Sequence, residues 1–164
     1  VDACDFSTVA RQKALERAKK NKVKINYFVA DVAEVLFEPN TYDVIALIYL
    51  HLSPAHRNLV HQKLVAGLKP GGVLLLETFS KDQLKYGTGG PKNPDLLYEL
   101  TEIETDFRQL NIKQLEQTEV VLNEGDFHRG LANVIRLIGI KPLAGTSHHN
   151  ATGGYLAPDA DIKG

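Results

Sequence analysis

Leu68-Lys69-Pro70-Gly71-Gly72-Val73-Leu74-Leu75-Leu76-Glu77-Thr78 reads as a helix end, a turn and a buried strand. Pro70 and the paired glycines stop a helix and turn the chain. Val73 to Thr78 is apolar without alternation, which suits a strand covered on both faces in a parallel sheet. Upstream, Ser53-Pro54 is a helix start, with Ser as cap and Pro in the first turn. That helix should reach Leu68 and bury Leu59, Val60, Leu64 and Leu68. Before it, Tyr42 to Leu50 contains a second continuous apolar run, Val44 to Leu50, again a doubly covered strand. Earlier still, Lys22 to Ala30 places Val23, Ile25, Tyr27 and Val29 at the strand period, with Asp31 immediately after. Thr8 to Asn21 sets Val9, Ala10, Leu15 and Ala18 among charges and predicts an amphipathic helix.

Downstream the pattern changes. Thr101 with Glu104 forms a capping box for a helix to about Leu110. Ile112 to Leu122 and Gly130 to Ile140 are two long strand-like runs around Asn123-Glu124-Gly125-Asp126, an antiparallel hairpin. Parallel strands are therefore expected near 23–30, 43–50 and 72–78, with the hairpin at 112–122 and 130–141. The fold class is α/β, a Rossmann-like and mostly parallel sheet ending in an antiparallel hairpin. Residues 1–142 form the expected domain. Residues 143–164 lack periodicity and read as an irregular tail.

Composition narrows the function. Nineteen Lys and Arg against twenty Asp and Glu give a net charge of -1, too balanced for a dedicated nucleic-acid binder. The basic run Arg11, Lys13, Arg17, Lys19, Lys20, Lys22 and Lys24 has no interleaved aromatics for base stacking and reads as a solvated helix face. No apolar run approaches the roughly 20 residues that span a bilayer. The single cysteine, Cys4, excludes an internal disulfide and fits the reducing cytoplasm. His51, His56 and His61 are spaced by five and diverge around a helix, so no metal site is expected. The absence of Met suits a processed or truncated piece of a longer chain.

Three motifs resemble the class I S-adenosylmethionine-dependent methyltransferases, in a small bacterial branch near the tellurite-resistance methyltransferases. Val1-Asp2 before a helix looks like the end of that family's second strand, whose acid holds the cofactor ribose. Val29-Ala30-Asp31-Val32 looks like the third strand, with its Asp beside the adenine, and Leu68 to Leu74 looks like the turn into the fifth. The stretch Tyr86 to Pro91 and the run Glu124 to His128 resemble that bacterial branch in particular. The resemblance implies methyl transfer from S-adenosyl-L-methionine to a small-molecule acceptor. It implies cofactor contacts from Asp2, Asp31, Val32, Tyr49 and Leu50, with Asp5 as the alternative ribose acid. The family's first strand and its glycine-rich turn would lie before Val1. Without them two inner strand edges are left to be covered, by closure, by a homodimer or strand exchange, or by the chain's own tail.

Ligands in doubly wound sheets sit beyond the carboxyl ends of the strands. Asp2, Asp31, Tyr49-Leu50-His51 and Glu77-Thr78-Phe79 are all expected there, with His51 close to Asp31 and Thr78. A lone Asp after a strand is more often a cap or a turn residue, and it is the resemblance that raises these two. Methyl transfer from a sulfonium needs a base only when the acceptor arrives protonated. His51 is the first candidate, followed by His128 and Tyr86 on the acceptor side. The Gly87-Thr88-Gly89-Gly90 loop lacks the frame of a phosphate cradle, so its glycines are read as permitting positive backbone angles over the site. Two other readings stand beside the enzyme. A nicotinamide-dependent oxidoreductase would need a glycine fingerprint that is absent here. A non-catalytic or truncated Rossmann-like domain would need a partner or a second copy to complete its sheet.

Overall fold

The computed structural model describes residues 1–123, 125 and 128–143. The expected tail and most of the hairpin turn lie outside the described residues. In chain order the elements are β1 (Asp2–Asp5), α1 (Thr8–Lys20), β2 (Asn26–Val29), β3 (Tyr42–Ile48), α2 (Pro54–Gly67) and β4 (Leu68–Phe79). Short 3-10 turns at Lys81–Lys85 and Pro94–Leu96 lead to α3 (Leu100–Asp106), β5 (Asn111–Asn123) and β6 (Arg129–Ile140).

Parallel pairing joins β1 to β2 and β3 to β4, and β6 then pairs antiparallel with both β4 and β5. The result is a two-stranded sheet, β1-β2, beside a four-stranded sheet in the order β3-β4-β6-β5. The expected hairpin is present almost to the residue, because two long runs joined by one short turn have few other ways to pair. The strand expected near 23–30 is only Asn26–Val29.

Several local expectations change in the structure. Lys69 to Gly72 are not a free turn: β4 runs through them from Leu68, and a register shift against β3 between Tyr42 and Val44 absorbs the irregularity. Gly71 there has φ +81°, a conformation that glycine adopts without cost. Leu59 is 54% exposed; the inner stripe of α2 is Arg57, Val60, His61, Leu64 and Val65. Ser53 occupies the N-cap position of α2, but its hydroxyl meets His56 Nδ1 at 3.1 Å instead of a backbone amide. The capping box of α3 is Glu99 with Glu102, two residues before the expected pair, and the helix ends at Asp106. By contrast, Ser7 caps α1 as a cap should, accepting from Ala10 N at 3.1 Å.

One apolar core lies between α2, α3 and a face of the larger sheet, built from Val60, Leu64, Leu74, Leu76, Tyr98, Ile103, Phe107 and Leu137 among others. β3 is not doubly covered: Val44 and Ile48 are 53% and 60% exposed. A continuous apolar run is covered on both faces only when a layer packs on each side of its sheet; Ile45 and Leu47 join the core, whereas the alternate residues Val44 and Ile48 stay exposed. No helix of the described residues is long and apolar enough to cross a membrane.

Candidate active site

The facing edges of β1 and β3 have no strand partner among the described residues, and the space between them is a cleft of about 870 Å³. That size suits a cofactor or small ligand. It is lined along its length by β1, by Ala30 to Ala33 after β2, by β3, and by Tyr49 to Ser53. At its amino end Tyr42 reaches across, donating its hydroxyl to Asp2 Oδ2 at 3.1 Å, while Asn26 Nδ2 donates to Asp2 Oδ1 at 3.0 Å. These two bonds, that from Asn26 the stronger influence, hold the Asp2 carboxyl below its usual range.

The structure places the two candidate ribose acids, Asp2 and Asp5, at opposite ends of one strand that lines the cleft. β1 runs from Asp2 to Asp5, so Asp2 marks the amino end of its strand and Asp5 the carboxyl end. Asp5 pairs with Val29, and its carbonyl accepts from Ala30 N at 3.2 Å, one residue before Asp31. Asp5 and Asp31 therefore stand together at the carboxyl ends. Each uses one oxygen locally: Asp5 Oδ1 accepts from Ser7 N at 2.7 Å, and Asp31 Oδ1 accepts from Ala33 N at 2.9 Å. The signal in the sequence is the length of Ala3 to Ser7, longer than a usual link between strand and helix, which fits a strand that continues to Asp5. Val32, Tyr49 and Leu50 also line the cleft.

Tyr49 has φ +50°, a left-handed backbone uncommon for a bulky residue. Its amide donates to the Glu77 carbonyl at 2.8 Å and its hydroxyl to Glu77 Oε1 at 2.7 Å. Arg136 Nε in turn donates to Glu77 Oε2 at 2.7 Å. The Tyr49 ring stacks on Phe79 at 4.6 Å, and the His51 ring lies nearly parallel to Phe79 at 5.7 Å. Gly90 explains how the glycine loop passes over this aromatic row: at φ +78°, a Cβ there would sit 2.8 Å from Phe79 Cδ2.

His51 lines the same cleft as Asp31, as expected. Thr78 does not; it is 1% exposed, with its hydroxyl buried and unpartnered among the described residues. His51 Nδ1 lies 2.9 Å from the Leu96 carbonyl. A carbonyl only accepts, so Nδ1 carries the proton. Burial lowers the pKa of His51 below its ordinary value, against the opposing bond to Leu96, so the ring is neutral near pH 7. Nε2 is then a lone-pair acceptor, buried and without a partner in the described chain.

Tyr86 and His128 do not join the cleft. The Tyr86 hydroxyl donates to Glu119 on β5, the outermost strand of the larger sheet, so the ring leans over the hairpin instead of β3. His128 directly precedes β6, on the same far side. Sequence reasoning also missed Arg57 and His61, which are 5% and 1% exposed. Their signal was present: with Leu64 and Leu68 they fall at the spacing of one helix stripe.

Both buried histidines make stability depend on pH. Desolvation is the leading cause that lowers His61, as it is for His51. A histidine whose folded pKa lies below its unfolded value favours the fold fully above about pH 6.5. As pH falls the unfolded chain takes up protons first, so stability declines until the folded pKa values are passed. The urea midpoint should therefore be lower at pH 5.5 than at pH 7.5. Equal midpoints would contradict the buried neutral rings.

Comparison with known proteins agrees with this geometry. Residues 1–72 match the family described as a methyltransferase domain. The chain is 29% identical over 165 residues to the ubiquinone/menaquinone biosynthesis C-methyltransferase UbiE of Saccharophagus degradans, covering 94% of this chain and 59% of that protein. It thus spans about three fifths of the length of that curated relative. TehB of Haemophilus influenzae superposes with a TM-score of 0.69 at 14% identity, covering 86% of this chain and 49% of TehB. The fold is that of the class I S-adenosylmethionine-dependent methyltransferases. The N-methyltransferase NodS of Bradyrhizobium japonicum, solved with S-adenosyl-L-homocysteine, shares it with a TM-score of 0.63 at 15% identity, covering 86% of this chain and 66% of NodS.

Proposed function

We propose that residues 1–142 bind S-adenosyl-L-methionine and transfer its methyl group to a small-molecule acceptor in the cytoplasm. The observation that carries this reading is the convergence of Asp5, Asp31 and His51 at strand carboxyl ends around one cleft. The donor set fits the cofactor. Asp5, with Oδ2 uncommitted among the described residues, accepts from the ribose hydroxyls, and Asp31 accepts from the adenine amino group. Val32 and Leu50 supply apolar walls. The cofactor brings an already activated methyl group on a sulfonium, so positioning and exclusion of water carry most of the catalysis. His51 Nε2 takes a proton from an acceptor that arrives protonated.

Titration calorimetry with S-adenosylmethionine tests the assignment. Asp5→Asn and Asp31→Asn keep the oxygens that serve Ser7 and Ala33 but lose a charged acceptor. A hydrogen bond to a charged group contributes about 1.5–3 kcal/mol, so each variant should bind about 10- to 100-fold more weakly. Asp2→Asn should bind within about twofold of the parent, on the same scale. The reverse order would return the ribose contact to Asp2. No binding by the parent chain at millimolar cofactor would overturn the reading.

The unpaired edges of β1 and β3 favour a second reading, a domain whose sheet is completed by a partner or by a second copy, because open edges template strand addition. Sedimentation velocity across a concentration series separates the two. A reversible dimer supports completion by a second copy, and a monomer throughout counts against it.

A further inference from the structure

Burying a guanidinium is costly unless its donors are met, and Arg57 is buried at the start of α2. Its Nη2 lies within bonding distance of three carbonyls, Asp95 at 2.8 Å and Leu52 and Leu97 at 3.2 Å each. Nη1 donates to Glu102 Oε1 at 3.2 Å, and the guanidinium sits 4.0 Å over the Tyr98 ring. Tyr98 donates its hydroxyl to the Leu50 carbonyl at 2.9 Å and accepts from Leu52 N at 3.4 Å.

These contacts form a pattern around one side chain. His51 lies between Leu50 and Leu52, and the carbonyl it binds, that of Leu96, lies between Asp95 and Leu97. The residues on both sides of the histidine and on both sides of its acceptor are thus tied to Arg57 and Tyr98. A helix anchor would need only one of these strings. We propose that Arg57 and Tyr98 act as one positioning device that fixes the tautomer of His51, keeping Nδ1 as donor and Nε2 as the lone pair. Neither residue touches the reacting atoms. The value of this tautomer to methyl transfer rests on the function proposed above, whereas the ring geometry does not.

The test reads the ring directly, by 15N NMR of the folded, histidine-labelled chain without cofactor near pH 7, with the His51 signals identified through His51→Gln. In the parent, Nδ1 should carry the proton. Arg57→Lys keeps the charge but replaces the planar fork by a point donor that cannot span three carbonyls. It should turn the single tautomer into a mixture with a comparable Nε2–H population. Tyr98→Phe removes the bonds to Leu50 and Leu52 and should act in the same direction to a smaller extent. If Arg57→Lys fails to fold, Tyr98→Phe carries the test. A folded variant of either kind that retains a pure Nδ1–H ring overturns the proposal. Because no cofactor is present, this outcome is independent of whether the parent chain transfers methyl groups.

Discussion

His51→Gln should lower methyl transfer by about 100- to 10,000-fold for an acceptor that must lose a proton, the usual contribution of a general base. Affinity for S-adenosylmethionine should change little, because the cofactor contacts proposed above fall to Asp5 and Asp31 and not to His51. The physical reason lies in the ring's two nitrogens. One is committed to the Leu96 carbonyl, and the other, in a ring that burial keeps neutral, has no competing donor among the described residues. Glutamine preserves polarity but has no basic lone pair in this range of pH. The measurement is transfer of radiolabelled methyl from the cofactor to a panel of small thiols, metalloid oxyanions and carboxylates. An active parent matched by an equally active His51→Gln on every acceptor would remove His51 from the chemistry.

The second large effect concerns stability. Asp106 Oδ2 lies 2.7 Å from His61 Nδ1, and Asp106 Oδ1 accepts from Asn58 Nδ2 at 2.8 Å. His61 is packed at 4.7 Å against Phe107 and 6.1 Å from Tyr98. Burial opposes its protonation more strongly than Asp106 favours it, so the contact acts as a hydrogen bond to a neutral ring. Asp106→Ala leaves the His61 N–H buried without its partner, whereas the freed amide of the exposed Asn58 can turn to water. An unmet buried group costs about 1–3 kcal/mol. The loss should therefore be about 1–3 kcal/mol, a sizeable share of the 5–15 kcal/mol that typically stabilises a domain. Urea denaturation at pH 7.5 measures it. Asp106→Asn, which keeps an oxygen for His61, should recover part of the loss. An alanine variant within about 0.5 kcal/mol of the parent would show that the His61–Asp106 contact adds nothing measurable to the packing of α2 on α3.

Sequence alone determined those parts of this protein whose signals are local and repeated. α1 followed from an amphipathic run that forms Thr8–Lys20, and the hairpin from two long runs around one turn. The apolar strand from Val73 runs parallel to β3 as expected. The placement of Asp31 and His51 followed too, because a polar residue two or three positions past a strand lies at its carboxyl end whatever lies beside it. Tertiary structure alone decided the rest. Asp2 and Asp5 are three residues apart on a four-residue strand, and only its extent and direction show which acid stands beside Asp31. Whether Val44 and Ile48 are covered depends on what packs against that face of β3, which no pattern within 42–48 encodes. Arg57 and His61 fall on the apolar stripe of α2, but the partners that let them be buried, Asp95, Leu97 and Asp106, lie more than 35 positions away. Tyr86 and His128 were drawn toward the site by resemblance and kept from it by strand order, which sets β5 and β6 on the far side of β4. Periodicity reports which face of an element is apolar; what meets that face, and which polar groups can afford burial there, is set by contacts distant in sequence.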